Sequence, residues 1–160
     1  MKIGIGADEA AFLYKEQIIE FLISIDIEVK DFGVFDENPV LYPDIAVDVA
    51  RAVQRGDFSR GILICGTGIG MAISANKVPG IRAAVCHDTY STERARKSNN
   101  AQIMALGARV IGLELAKSLI LVWLNSAFAG GGSLQKINKI TEYENQFFTE
   151  NSFKGVLCKE

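Results

Sequence analysis

The chain has 160 residues, 49% of them hydrophobic and 22% charged, with 15 glycines and 3 prolines. That is enough for one globular domain with a substantial core, and it excludes a collagen-like chain, a disordered tail protein and a disulfide miniprotein. Seventeen basic and nineteen acidic residues give a formal net charge of −2, without the basic footprint of a nucleic-acid binder. The apolar runs are short or interrupted by glycine and polar residues, so no membrane span is expected. The start, MKIGIGADEA, lacks the apolar core of a secretory signal. Three widely spaced cysteines, Cys65, Cys86 and Cys158, point to free thiols in a reducing cytoplasm.

Short apolar runs alternate with longer amphipathic ones. Lys2–Gly6 reads as a strand ending in Ala7-Asp8-Glu9. Phe12–Ile25 reads as a helix with Leu13, Ile18, Ile19 and Leu22 roughly on one face. A second strand is expected at Glu28–Asp31. After a polar loop, Tyr42-Pro43-Asp44 offers Asp44 as the N-cap of a helix to about Arg55. Arg60–Cys65 is a continuous apolar strand of the kind covered on both faces. Gly66–Gly70 turns the chain into a helix through Lys77, and Arg82–Cys86 is another buried-type strand. Thr89–Ser98 is a charged helix, for which Asp88 is a natural cap, and Gln102–Leu106 is a fifth strand. Gly112–Ala127 reads as a helix, Gly130-Gly131-Gly132 as a break, and Leu134–Phe147 as a final amphipathic helix. The expectation is one α/β domain over residues 1–148, a three-layer α/β/α Rossmann-like fold with a parallel sheet of about five strands, and a tail over 149–160. Ligands of such sheets bind beyond the carboxyl ends of the strands, here near Asp8, Cys65, His87 and the residues after Leu106.

The strongest signal is Ile62-Leu63-Ile64-Cys65-Gly66-Thr67-Gly68-Ile69-Gly70. A buried strand delivers a cysteine to its carboxyl end, three glycines allow a tight turn that presents backbone N–H groups, and a helix begins at once. Donors at a helix start make an anion site, and the same dipole favours a thiolate. One short stretch thus holds a base, a place for developing negative charge and, in Thr67, a hydroxyl able to move a proton. The spacing is Gly-x-Gly-x-Gly with no following Gly-Lys-Ser/Thr, so neither common nucleotide fingerprint fits. On the residues alone, a buried structural thiol at Cys65 stands beside the functional reading.

Cys65–Gly70, followed by Asn76-Lys77 and Gly80-Ile81-Arg82, resembles the type B ribose-5-phosphate isomerases and their galactose-6-phosphate isomerase relatives. Tyr42-Pro43-Asp44, Ser98-Asn99-Asn100, the run Gly107–Gly112 and Glu114-Leu115-Ala116 extend the resemblance over about residues 2–147. It implies interconversion of an aldose phosphate and a ketose phosphate through a cis-enediolate, without metal or cofactor. It also implies homodimers or homotetramers with active sites shared between subunits. By resemblance, Cys65 is the base, the backbone around Gly66, Gly68, Ile69 and Gly70 holds the enediolate oxygen, and Thr67 shuttles the proton. Asp8 and Tyr42 match sugar-binding residues. Asn99 and Arg109 match residues that the neighbouring subunit contributes.

The departures from the family's pattern bear on the substrate. Glu9 stands where the family has a phosphate-binding histidine, and its charge would repel a dianion. Ser98 stands where the family has the histidine assigned to opening the sugar ring. Gly132 replaces a phosphate arginine and Lys136 a second one, keeping a charge but losing the bidentate fork. Three explanations follow: a substrate such as a tetrulose 4-phosphate that needs no ring opening, one chain of a heteromeric isomerase with a related partner, or ribose 5-phosphate, the default, handled through Arg109 and Lys136. A rival of another class is a non-catalytic binding module, against which Cys65, Thr67 and Asp8 argue. Glu9 reads either as a sugar-hydroxyl acceptor or as a surface residue. His87, the sole histidine, reads as a residue near the site or as a capping or surface residue at a helix start. One histidine and scattered cysteines do not make a metal site. Glu93, Arg94, Arg96 and Lys97 read as a solvated helix face. Cys86 reads as a core thiol and Cys158 as an incidental one. Phe147, Phe148 and Phe153 read as packing on a neighbouring helix or subunit.

Overall fold

The computed structural model describes residues 1–149. They form one five-stranded parallel sheet in the order β2-β1-β3-β5-β4, with β1 at Lys2–Ala7, β2 at Glu28–Asp31, β3 at Arg60–Cys65, β4 at Ala83–Val85 and β5 at Ile103–Gly107. The helices are α1 Phe12–Ser24, α2 Tyr42–Gln54, α3 Ile69–Ala75, α4 Thr89–Lys97, α5 Leu113–Leu124 and α6 Gly132–Thr149. A 3-10 turn over Glu9–Ala11 links β1 to α1. The expected three-layer α/β/α fold is present.

Strand side chains alternate between two cores. Ile3, Ile5, Ile62, Ile64, Met104 and Leu106 pack with Ile18, Leu22, Ala95, Leu119 and Trp123 of α1, α4 and α5. Leu63, Cys65 and Ile103 face Val49 and Val53 of α2 and Met71 and Ala75 of α3. Each fully buried Ile or Leu contributes about 1.5–3 kcal/mol, so the central strands β1, β3 and β5 anchor the sheet. β4 was expected to be a buried-type strand, but it is three residues long and half-buried because it forms the sheet edge.

Several expected boundaries and faces shift. The inward residues of α1 are Lys15, Ile18 and Leu22, while Leu13 is exposed. Lys15 is fully buried because its ammonium pairs with Asp31 and Glu16. Asp31 also accepts the Gly33 N–H (2.8 Å), and the Gly33 carbonyl accepts the Ala7 N–H (2.7 Å), which ties the loop after β2 to the end of β1. Asp44 does not cap α2. The helix starts at Tyr42 with Leu41 as N-cap, because the fixed φ of Pro43 suits a first turn, and Asp44 sits within that turn. Buried Arg60 donates to the carbonyls of Trp123 and Ser126 and closes the end of α5, which stops at Leu124 rather than Ala127. α3 ends at Ala75 rather than Lys77. Gly130 and Gly131 have positive φ, and Gly132 already belongs to α6. The Glu93–Lys97 run is half-buried, with Glu93 pairing to Arg94 and Lys97. Of the expected tail, Thr149 ends α6; residues 150–160, with Phe153 and Cys158, and the side chain of Phe148 lie outside the described residues. Phe147 is exposed and stacks on Tyr143. Among the described residues no helix is long and apolar enough to cross a membrane.

Candidate active site

The carboxyl ends of β1, β3 and β5 open into a cleft of about 290 Å³ lined by Asp8, Glu9, Ala10, Tyr42, Cys65, Gly66, Thr67, Gly70 and Arg109. Cys65 ends β3 and is buried, and its Sγ accepts the Gly68 N–H at 3.0 Å. That bond is possible because Gly68 has φ +76°, a left-handed conformation that glycine adopts without penalty. The Ile69 N–H donates to Thr67 Oγ1 at 3.3 Å. Two of the loop's N–H groups therefore orient the thiol and the hydroxyl rather than facing a ligand. Gly70, in the first turn of α3, lines the cleft and has an N–H group with no carbonyl of its own helix behind it, which makes it a donor for a substrate oxygen. Gly70 is small because Tyr42 lies against it: a Cβ there would sit 2.5 Å from the phenol oxygen.

The cleft carries both signs of charge. Burial, and then the Glu9 charge, raise the Asp8 carboxyl above the ordinary value, while the N–H groups of Ala11, Gly66 and Ala10 act in the opposite direction. Asp8 Oδ1 is buried with no hydrogen-bond partner among the described residues, an acceptor suited to a hydroxyl. Glu9 lines the same cleft and accepts the Val40 N–H at 3.3 Å. Arg109 lies over Gly66, to whose carbonyl its own N–H donates at 3.1 Å.

The expected residues thus divide. Asp8, Glu9, Tyr42, Cys65, Gly66, Thr67, Gly70 and Arg109 meet in one cleft. Arg109 does so in its own chain, whereas the resemblance assigned that position to a neighbour. Gly68 and Ile69 act behind the cleft through the two N–H groups just described. Ser98 caps the end of α4, exposed Asn99 donates to the Arg94 carbonyl, and Lys136 is exposed on α6; none of the three lines the cleft. Cys86 is a core thiol, its pKa pushed up by burial to about 11. Asp88 caps α4 by accepting the Ser91 N–H at 2.7 Å. His87 is neither that cap nor a surface residue: it is half-buried, and its Nε2 accepts the Gly107 N–H at 2.9 Å. This contact has no local sequence signal, since twenty residues separate the partners.

Residues 3–140 match the ribose/galactose isomerase family. The chain is 57% identical to the D-erythrulose-4-phosphate isomerase of Pectobacterium atrosepticum, over 91% of this chain and 97% of that one. It is 55% identical to the ribose-5-P isomerase B of Listeria innocua, over 91% and 99%. Among solved structures it is similar to the ribose-5-phosphate isomerase B of Clostridium thermocellum, with a TM-score of 0.90 and 48% identity over 92% of this chain and 99% of that one. A cysteine-and-glycine cleft at the sheet's carboxyl edge, on a fold shared along nearly the whole chain, places the protein in the ribose/galactose isomerase family, as an isomerase of sugar phosphates.

Proposed function

We propose that the chain interconverts an aldose phosphate and a ketose phosphate with Cys65 as the base, and that its substrate is a tetrulose 4-phosphate. The observation carrying the first part is the buried Cys65 Sγ, held by the Gly68 N–H at the inner wall of the cleft. In this reading the Cys65 thiolate removes the proton from the carbon beside the carbonyl. The C–H electron pair forms the enediolate double bond, and negative charge moves onto the carbonyl oxygen. The N–H group of Gly70, at the start of α3, stabilises that charge. Thr67 carries a proton from one enediolate oxygen to the other, and the Cys65 thiol returns its proton to the neighbouring carbon. The step consumes nothing and needs no cofactor. Asp8 accepts a substrate hydroxyl, Tyr42 walls the sugar, and Arg109, the cation lining the cleft, takes the phosphate.

Two observations support a four-carbon substrate. A tetrulose 4-phosphate and its aldose have the terminal hydroxyl phosphorylated, so no five-membered ring closes and no ring-opening acid is needed, which suits Ser98. The relative from Pectobacterium atrosepticum bears that activity in its name. The second reading, ribose 5-phosphate, is supported by the name of the Listeria innocua relative. Ser98, Asn99 and Lys136 lie outside their own chain's cleft, so they reach substrate only from a second subunit. A second copy, or a related chain, against α3, where Ile69 and Ile73 are 55% and 56% exposed, would supply them. The test is solvent-deuterium exchange followed by NMR with erythrulose 4-phosphate and ribose 5-phosphate separately. Exchange beside the carbonyl at least about tenfold faster for the tetrulose is expected. Faster exchange with the pentose would overturn the four-carbon reading, and none with either would overturn the proton-transfer chemistry.

A further inference from the structure

We propose that His87 is a positioning residue: its imidazole accepts the Gly107 N–H and so fixes the end of β5, against which Cys65, Thr67 and Gly68 are seated. The proposal rests on reading Cys65–Gly70 as the catalytic loop. β4 pairs with β5 only as far as Val85 opposite Ala105, and the Cys86 N–H then reaches the Ala105 carbonyl (3.0 Å). The Gly107 N–H lies beyond the last paired residue of the edge strand, and the His87 ring takes it in place of a backbone partner from β4. On its other side Gly107 is the register partner of Cys65. The Ala108 N–H donates to the Cys65 carbonyl at 2.9 Å, and the Arg109 N–H to that of Gly66 at 3.1 Å. A Cβ on Gly107 would stand 2.9 Å from the Thr67 backbone, and one on Gly68 would stand 2.9 Å from the Leu106 carbonyl carbon. The catalytic loop therefore rests directly on the two residues that end β5, and one of those two is clipped by the imidazole.

Accepting an N–H requires an unprotonated Nε2, so the proton sits on Nδ1. Protonation would set N–H against N–H and release Gly107. The titratable groups next to His87 in the chain are Cys86 and Asp88, of which Asp88 acts on the ring; Cys65 is the register partner of Gly107 on β3, and Arg109 follows the end of β5. Burial lowers the His87 pKa below the ordinary histidine value, against a smaller opposing pull from Asp88, so the accepting form prevails at neutral pH. The thiol of Cys86 is pushed up to about 11 and is uncharged there.

The test compares the wild type with His87→Gln, whose amide oxygen can accept the N–H without titrating, and His87→Ala. At pH 8 the Gln variant should keep kcat within about threefold. The Ala variant should lose about ten- to a hundredfold in kcat with KM within about twofold, the expected cost of a misplaced catalytic group. Because His87 is the sole histidine, its imidazole C–H signal can be titrated directly by NMR. The acid limb of wild-type kcat should share that midpoint, and the Gln variant should lack it; the substrate phosphate titrates alike in both. An Ala variant as active as the wild type, or a Gln variant retaining the acid limb, would overturn the proposal. Amide signals supply a readout independent of turnover: Gly107, Thr67 and Gly68 should titrate with His87 in the wild type and not in His87→Gln. Amides that ignore the His87 titration would refute the coupling, even in a protein found inactive on every sugar phosphate tried.

Discussion

Alanine at Gly70 and alanine at Gly68 should produce opposite phenotypes from positions two residues apart. At Gly70 a Cβ would meet the Tyr42 ring at 2.5–2.7 Å. Carbon contacts settle at about 3.5–4.0 Å, so the ring must move by about 1 Å. Tyr42 is 37% exposed and can swing outward, so the stability cost is below about 1 kcal/mol. The ring leaves the cleft wall, however, and KM should rise about five- to twentyfold. At Gly68 the Cβ would meet the backbone of Leu106 at 2.9–3.1 Å, with φ at +76°. A left-handed L-residue costs about 1–2 kcal/mol and overpacking about 1–3 kcal/mol, and a buried strand end cannot swing away. The melting temperature of Gly68→Ala should therefore fall by about 5–20 °C, at about 2–4 °C per kcal/mol, and that of Gly70→Ala by less than about 3 °C. Gly56, with φ +82° and nothing within 4 Å of an added Cβ, is the control that isolates the backbone cost. Thermal melts by circular dichroism and steady-state KM values are the assays. A Gly68→Ala protein melting within about 2 °C of wild type, or Gly70→Ala with unchanged KM, would refute the packing argument.

Asp8 is held above its ordinary pKa, so the folded state binds its proton more tightly than the unfolded state. The stability it contributes is full below pH 3.8 and is lost as pH rises through the folded value. Asp8→Asn should accordingly melt higher than wild type at pH 7, show no such gain below pH 3.8, and bind the sugar less well; a lower melting temperature at pH 7 would contradict the burial argument. Glu9→Gln removes a negative charge from the cleft proposed to take the phosphate and should tighten inorganic phosphate binding by about two- to tenfold at low salt, measured by calorimetry. Unchanged or weaker binding would place the phosphate beyond the reach of Glu9.

The alternation of apolar runs made the parallel sheet legible, because strands covered on both faces announce themselves, as Ile62–Cys65 does. The cleft wall at the end of β3 was legible for the same local reason: the cysteine, glycines and threonine that meet there are neighbours in the chain. What escaped was set by partners distant in sequence. Lys15 sits at an inward position of α1 that the apolar pattern assigned elsewhere, and its pairing with Glu16 and with Asp31, sixteen residues on, makes that burial tolerable. The resemblance names Arg109 as a site residue, but that it lines its own chain's cleft follows from β5 running beside β3, a neighbour relation that no spacing encodes. His87 finds Gly107 across the sheet edge in the same way. Asp44 failed as a cap because Pro43 lets the helix begin three residues earlier, with Leu41 as the N-cap.

The central claim is that Cys65 moves the proton. The most direct measurement is deuterium incorporation from D2O into erythrulose 4-phosphate, read by proton NMR, for the wild type and for Cys65→Ala with its fold verified by circular dichroism. The account predicts incorporation beside the carbonyl with the wild type and a loss of at least about a hundredfold in the variant, the usual contribution of a positioned base. Incorporation by Cys65→Ala at the wild-type rate would show that another group takes the proton.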